Sequence, residues 1–438
     1  MQSAAQLAPP NQDVPVGLYL SIPFCRSKCT YCNFASGVYP ASQHGRYVER
    51  LVEDLHHSHT RAHSLGVHLP RVVDSIYFGG GTPVLLAPAH FHAIFRAIRQ
   101  EFILAPDAEI TVECAPAQLS DETLQALTEC GVNRISLGVQ SFLDRECAVS
   151  GRLHTRADVL GDLERLRKVG ITNLNVDLLA GLAGQTLASW RESLDVLLET
   201  AVPHASIYML EIDEDSRLGR ELIAGGARYH AELVPSDDTI AAMYETAIEV
   251  LASAGLAQYE ISNFARPGFA SHHNLRYWSR SPYLGLGLDA ASMLFATTPE
   301  NPSPRKSLTH NPSAPRIPAS LRFTQTADLA DYLADAAPLT ETSFAQQSWL
   351  GPVQQLEESW FLGLRRNSGI DIHDLAREFG SLTIQPSLAV AHRLVADGLL
   401  YPLPDRDAFA LTPRGRLLSN DVFAEFLGLG SHHSAQES

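Results

Sequence analysis

Cys25, Cys29 and Cys32 lie within one eight-residue run, Cys25-Arg-Ser-Lys-Cys29-Thr-Tyr31-Cys32. Thiolates are soft ligands, suited to zinc or to iron–sulfur clusters. A structural zinc site takes four ligands and draws on two pairs of the CxxC kind, and the chain holds no second pair. A cubane cluster held by three thiolates leaves one iron without a protein ligand, free to chelate a small molecule. The spacing therefore predicts a 4Fe-4S centre with Cys25, Cys29 and Cys32 as its metal ligands. Cys114, Cys130 and Cys147 are too scattered to form a motif and read as small buried hydrophobes. Six cysteines in 438 residues are too few for a secreted disulfide framework, which predicts a reducing, cytoplasmic setting.

The elements around this run repeat. Apolar or β-branched runs occur at 17–23, 75–78, 109–112, 134–139, 173–179 and 206–210, and helical patterns lie between them at 47–65, 90–102, 121–130, 156–169 and 187–199. Strand and helix in alternation predict parallel strands with right-handed crossovers, as an open sheet or a barrel. Each strand is followed by polar or backbone-exposing residues: Phe24-Cys25, Gly79-Gly80-Gly81-Thr82, Glu113, Gln140-Ser141, Asp177 and Glu211. In a parallel barrel that end is the active-site face. The fold class is thus α/β over 17–230, extended by 231–296; were the sheet to close, six units in place of eight would make only a partial (β/α)6 barrel with a wide mouth. Residues 1–16, without a basic or apolar leader pattern, read as disordered and not as an export signal.

Six prolines between 297 and 320 exclude helix and central strand there, so this stretch reads as a loop. The region 321–427 reads as a mostly helical C-terminal module. Three helices precede a hairpin near Asp405-Arg406-Asp407, a last helix is expected over 411–427, and 428–438 reads as a disordered tail. Helix, helix, helix, wing is the order of a winged-helix DNA reader. Yet residues 351–438 hold seven Arg, no Lys and eleven acids, and the whole chain carries 33 basic against 49 acidic residues, net −16. Such a balance repels phosphate backbones and argues against nucleic acid as a partner. No apolar run is long enough to cross a bilayer.

Several longer stretches carry a family likeness: Tyr19-Leu-Ser-Ile-Pro-Phe-Cys25, Phe78-Gly-Gly-Gly-Thr-Pro83, Gly131-Val-Asn-Arg-Ile-Ser-Leu-Gly-Val-Gln-Ser-Phe142 and Asn175-Val-Asp-Leu-Leu-Ala-Gly181. Tyr259-Glu-Ile-Ser-Asn-Phe-Ala-Arg266 and His273-Asn-Leu-Arg-Tyr-Trp278 continue it. With the CxxxCxxC run they resemble the radical S-adenosylmethionine superfamily. Within it they resemble the family of oxygen-independent coproporphyrinogen III oxidase and the HemW-type haem chaperones. The likeness runs from about residue 17 to 295 and resumes more weakly in the C-terminal module. The oxidase branch has a further cysteine two residues after the triad and a longer N-terminal extension. Here Phe34 occupies that position and 24 residues precede Cys25, so the resemblance implies the chaperone branch, with the oxidase as the alternative. Ser21, Cys114-Ala115, Ala180 and Ala183 depart from the family's usual His, Ala-Asn, Tyr and Pro.

The resemblance implies three cofactors: the cluster, S-adenosylmethionine and haem. For S-adenosylmethionine it implies contacts from Tyr19, Tyr31, Gly80, Gly81, Thr82, Glu113, Gln140, Arg152 and Asp177. Carboxylates suit ribose hydroxyls and the ligand's positive charge, and Arg152 suits its carboxylate. Read alone, Glu113, Gln140, Arg152 and Asp177 could be salt bridges or caps, but their shared place at or after strand ends favours a site. Tyr31 could be an aromatic packed on the loop, and Gly79–Gly81 a tight turn, although at a strand end a close backbone approach to a ligand is favoured. For haem it implies His273, Asn274, Tyr277 and Trp278, with His272 as a competing ligand. The alternative is a loop histidine with two packed aromatics. Haem-accepting proteins are the implied partners, and any membrane contact would come through such an acceptor. His56, His57, His59, His63 and His68 read as a solvated helix face, and Gly285-Leu-Gly287 lacks the spacing of a dinucleotide loop.

Overall fold

The apolar runs become strands of a sheet buried on both faces. They are β1 (Val16–Ile22), β3 (Val72–Gly80), β4 (Ile103–Cys114), β5 (Arg134–Gln140), β6 (Asn173–Ala180) and β7 (His204–Met209), and a short unexpected strand, β2 (Val67–His68), lies between the first two and pairs with a later strand. The computed structural model describes residues 14–297, 317–334 and 344–429. The expectations for the chain before 14, for the proline-rich 298–316 and for the tail after 429 lie outside them.

The six expected strands pair in parallel in the order β1-β3-β4-β5-β6-β7. Their near-continuous apolar runs suit a parallel sheet covered by crossover helices. Phe78 of β3, for example, stacks on Phe95 and packs at a tilt against Phe91 of the Pro88–Glu101 helix, ring centres 5.5 and 5.8 Å apart. The helix expected over 47–65 is two, Ser42–His56 and Ser58–Ser64, parted at His57, whose ψ of 0° stops the first.

The sheet continues past the six. β8 (Ala257–Gln258) and β9 (Asn263–Ala265) add antiparallel beyond β7, and β10 (Tyr283–Leu286) is a seventh parallel strand on the free edge of β1. β11 (Ala291–Ala296), β12 (Ser320–Thr324) and β13 (Gln346–Leu350) follow antiparallel, so the sheet runs on beyond the division expected at 320. Among the described residues β13 and β8 end the order without pairing to each other, which leaves the barrel open. Gly285 is explained by this edge: a Cβ there would collide with the Ala291 carbonyl across the β10–β11 turn.

The C-terminal module runs helix Pro352–Leu364, β14 (Ile370–Asp371), helices Ile372–Phe379 and Gln385–Ala396, then the hairpin of β15 (Leu400–Pro402) and β16 (Ala408–Leu411). It has its own core, in which Trp360 and Phe426 stack with ring centres 4.5 Å apart. The helix expected over 411–427 is corrected: Leu411 is still in β16, opposite Leu400, and two short helices follow, Pro413–Leu417 and Ser419–Ala424. Pro413 starts the first at a position where a missing N–H costs nothing, and non-helical Leu418 parts them.

The Tyr259–Asn263 turn fastens this module to the barrel. Ile261 N–H donates to the Arg365 carbonyl at 3.1 Å, and Asn367 N–H to the Tyr259 carbonyl at 2.9 Å. Arg280 adds bonds of 2.6, 2.7 and 3.0 Å to Ser359, Gln355 and Glu378. Among the described residues no helix is long and apolar enough to cross a membrane.

Candidate functional site

The cysteine loop leaves β1 and is closed at its base, where Cys25 N–H donates to the Gly37 carbonyl and Gly37 N–H to that of Pro23, both at 2.9 Å. Distant segments hold its far side. Thr30 N–H donates to Ser150 O at 3.1 Å and Leu218 N–H to Thr30 O at 2.8 Å, while Arg217 donates to the Lys28 carbonyl. Each sulfur has a polar neighbour: Thr82 Oγ1 at 3.9 Å from Cys25, Arg152 Nη1 at 3.7 Å from Cys29 and Ser36 Oγ at 3.9 Å from Cys32. Three such thiols, at one end of a cavity of about 480 Å³, fit a cluster with three protein ligands and donors to its sulfurs. Among the described residues no three His, Cys, Asp or Glu side chains gather as ligands of a single ion.

The cavity floor comes from the carboxyl ends of the strands. Gly80, Gly81, Thr82, Glu113, Gln140, Arg152 and Asp177 all line it, with Tyr31. Gly81 is required by the chain itself: a Cβ would stand 2.8 Å from the Phe24 carbonyl and 2.9 Å from that of Ile22. At Gly81 the chain thus passes close to the end of β1 and the start of the cysteine loop. Tyr77 donates its hydroxyl to Glu113 at 2.9 Å. Burial, with Asp177 nearby, pushes the Glu113 carboxyl up to about 7. Asp177 accepts from Asn175 Nδ2 at 2.7 Å and Ser136 Oγ at 3.1 Å, and burial raises it too. Gln140 has a left-handed φ of 71° at a register shift between β5 and β6. A non-glycine residue held so is strained, and here it faces the cavity.

Two expectations fall elsewhere. Tyr19 is not among the cavity-lining residues; it is packed behind Gly79, its ring centre 6.1 Å from that of Tyr77. His273, expected to face haem, is buried at the amino end of the strands, on a helix, His272–Trp278, and not on a loop. Its Nδ1 is 3.0 Å from Ser75 Oγ, its Nε2 2.9 Å from the Tyr277 hydroxyl, and its N–H donates to Glu109 at 3.1 Å. Burial, with Arg276 and Arg134 adding repulsion, holds the imidazole neutral, its pKa lowered to about 3. Neither nitrogen is free for iron, because the ring serves as the polar plug of the barrel. His272 is exposed, Asn274 half-buried with its N–H on the Ser271 cap at 3.3 Å, and Trp278 lies against Arg365.

The cavity has a wall that sequence reasoning missed. Tyr244, Ile261, Ser262, Arg365, Leu417 and Asn420 line it from the extension and the C-terminal module. Ile261 and Ser262 lie inside a quoted motif, but no local pattern marks Arg365 or Leu417. Cys114 also lines the cavity, its thiol pushed up by burial and directed at the Ala115 carbonyl, 3.4 Å away.

The Radical SAM superfamily model matches residues 19–197. The chain is 33% identical over 413 residues to the Heme chaperone HemW of Lactococcus lactis, covering 94% of this chain and 97% of that protein. It is 32% identical over 414 residues to the Heme chaperone HemW of Bacillus subtilis, covering 94% and 98%. The solved structure of coproporphyrinogen III oxidase (HemN) from Escherichia coli superposes with a TM-score of 0.76 at 21% identity, over 95% of this chain and 91% of that one, a likeness of fold. The chain belongs to the HemW family of the radical S-adenosylmethionine superfamily.

Proposed function

We propose that this protein is a cytoplasmic haem chaperone. It binds haem together with a 4Fe-4S cluster and S-adenosylmethionine and passes haem to acceptor proteins, without oxidising coproporphyrinogen III. The observation that carries the reading is the second residue after the triad: Phe34, exposed on the cavity rim, stands where the oxidase branch has its further cysteine. The near full-length match to relatives named as haem chaperones supports it.

Cys25, Cys29 and Cys32 would hold the cluster, which when bound supplies an open iron for the amino and carboxylate groups of S-adenosylmethionine. Gly80, Gly81 and Thr82 give backbone and hydroxyl contacts, Glu113 and Asp177 accept from hydroxyl or ammonium donors, Gln140 offers its amide and Arg152 meets a carboxylate. Tyr31 covers the adenine or closes the loop. Tyr19 acts from behind, by packing Tyr77 and so Glu113. For haem we place the segment His272–Trp278, with the exposed His272 as iron ligand and His273 as the group that fixes the helix.

Protein reconstituted anaerobically is to be titrated with haem and, separately, incubated with coproporphyrinogen III, S-adenosylmethionine and a reductant. A stoichiometric Soret band with no decarboxylated porphyrinogen is expected. Turnover of coproporphyrinogen III would establish the oxidase reading instead, and absence of a Soret band would remove haem from the ligands.

A further inference from the structure

Arg365 follows the Pro352–Leu364 helix, and its side chain reaches out of the C-terminal module to line the cavity. Its guanidinium carbon stands 4.4 Å from the ring centre of Trp278 and 5.6 Å from that of Phe423. Stacking on aromatic faces fixes the plane of the fork and leaves its N–H edge for hydrogen bonds. Yet Nε is buried without a hydrogen-bond partner, and among the described residues no acid is ion-paired to this guanidinium. Glu260 and Glu211 act on it only from a distance, and Glu260 already accepts from Asn263 and the Ser262 N–H.

Of the three other Arg and Lys side chains lining the cavity, Arg26 is exposed to solvent and two are already engaged. Arg152 donates to the Gly138 carbonyl and lies against Cys29, and Lys28 donates to the Phe34 carbonyl at 3.1 Å. The wall around Arg365 is largely apolar, with Ile207, Met209, Tyr244, Ile261 and Leu417. A largely dehydrated cation without a partner is costly to keep. Its stacked geometry suits a planar anion that arrives with a ligand and accepts two parallel N–H bonds.

We propose that Arg365 is the carboxylate anchor for the second ligand of this cavity, a flat apolar molecule carrying carboxylates. The choice of molecule rests on the chaperone reading above: it is haem, and the carboxylate is one of its propionates. Trp278, on which the guanidinium stacks, ends the helix that His272 begins, about 9 Å away along the axis at 1.5 Å per residue. The large apolar face of the ligand lies on the wall while its acidic edge meets the fork.

The test is a titration of cluster-loaded wild type, Arg365→Gln and Arg365→Lys with haem and with haem dimethyl ester, in which both carboxylates are blocked. Wild type is expected to prefer haem by about tenfold, the scale of one charge-assisted bidentate pair. Arg365→Gln binds haem and ester alike, and Arg365→Lys, which keeps the charge without the fork, retains part of the preference. S-adenosylmethionine affinity stays at the wild-type value in both. A wild type that binds neither porphyrin overturns the chaperone reading. A preference that survives undiminished in Arg365→Gln overturns the anchor and leaves that reading standing. Should Arg365→Gln not fold, Arg365→Lys decides: a reduced preference supports the anchor and an unchanged one refutes it.

Discussion

Arg152 Nη1 lies 3.7 Å from the sulfur of Cys29, a contact that spans 123 residues of chain. A second nitrogen of the same guanidinium donates to the Gly138 carbonyl on β5, so the strand that floors the cavity also aims the cation at the cysteine loop. Positive charge beside a cluster sulfur favours the reduced, more negative state. Arg152→Met is therefore expected to load its cluster and to show a lower reduction potential, by on the order of 50 mV, where 59 mV is a tenfold effect for one electron. Potentiometric titration followed by electron paramagnetic resonance measures it, and an unshifted midpoint would show the contact to be packing only.

The cavity offers a fourth thiol, which sharpens the ligand assignment. Cys114 lines the same space, but burial keeps it protonated and its S–H is directed at Ala115 O. Single Cys25→Ser, Cys29→Ser and Cys32→Ser variants should each lose most of their cluster iron, whereas Cys114→Ala should keep the full complement. Iron and sulfide analysis after reconstitution decides. If Cys114→Ala loses iron as the others do, the open iron of the proposed site is ligated by protein.

What the sequence makes legible is local. β-branched runs become strands because they pack on both faces wherever they lie, and Cys25, Cys29 and Cys32 need only one turn of loop to converge. Gly81 was legible as a close approach, but its neighbour is the Phe24 carbonyl, which no spacing encodes. Arg365 escapes for the same reason. It reads as a surface residue ending an amphipathic helix until the Tyr259–Asn263 turn docks that helix over the barrel. The His273 segment is the hardest case, because an imidazole among aromatics suits an iron site and a buried plug equally. Only the bonds to Ser75 and Tyr277 separate the two.

Glu113 links the cavity to pH. In protein free of cluster and ligands its carboxyl is raised from the ordinary 4.5 to about 7, first by burial and then by Asp177. Between those values the folded state binds the proton that the unfolded state has released. The stability this contributes is complete below the unfolded pKa and is lost as pH rises through the folded one. The melting temperature of cofactor-free protein should thus fall by a few degrees between about pH 5 and about pH 8 from this group alone. Glu113→Gln should flatten that part of the profile while Tyr77 keeps an acceptor. A slope identical in wild type and variant would mean that Glu113 is ionised throughout.

The paired histidines give the last prediction. His272 is exposed, whereas His273 is buried and closes a path from Ser75 through its ring to Tyr277. Removing His273 leaves a cavity against Tyr77, whose ring centre is 5.3 Å away, takes the imidazole partner from the Tyr277 hydroxyl and leaves Ser75 only its bond from Arg276. His273→Ala should cost about 2–4 kcal/mol of stability. His272→Ala should cost less than about 0.5 kcal/mol, as surface substitutions do. Haem separates them the other way: His272→Ala should shift or abolish the Soret band at full cluster content, and the residual fold of His273→Asn, which keeps a polar side chain, should still bind haem. Acid sensitivity gives an independent check. Because the His273 pKa is lowered to about 3 in the fold, its stabilisation is present above the ordinary value of about 6.5 and lost as pH falls towards 3. His273→Asn should accordingly unfold less steeply with acid than wild type. Haem binding abolished in His273→Asn and untouched in His272→Ala would return the iron to His273 and require the barrel plug to open.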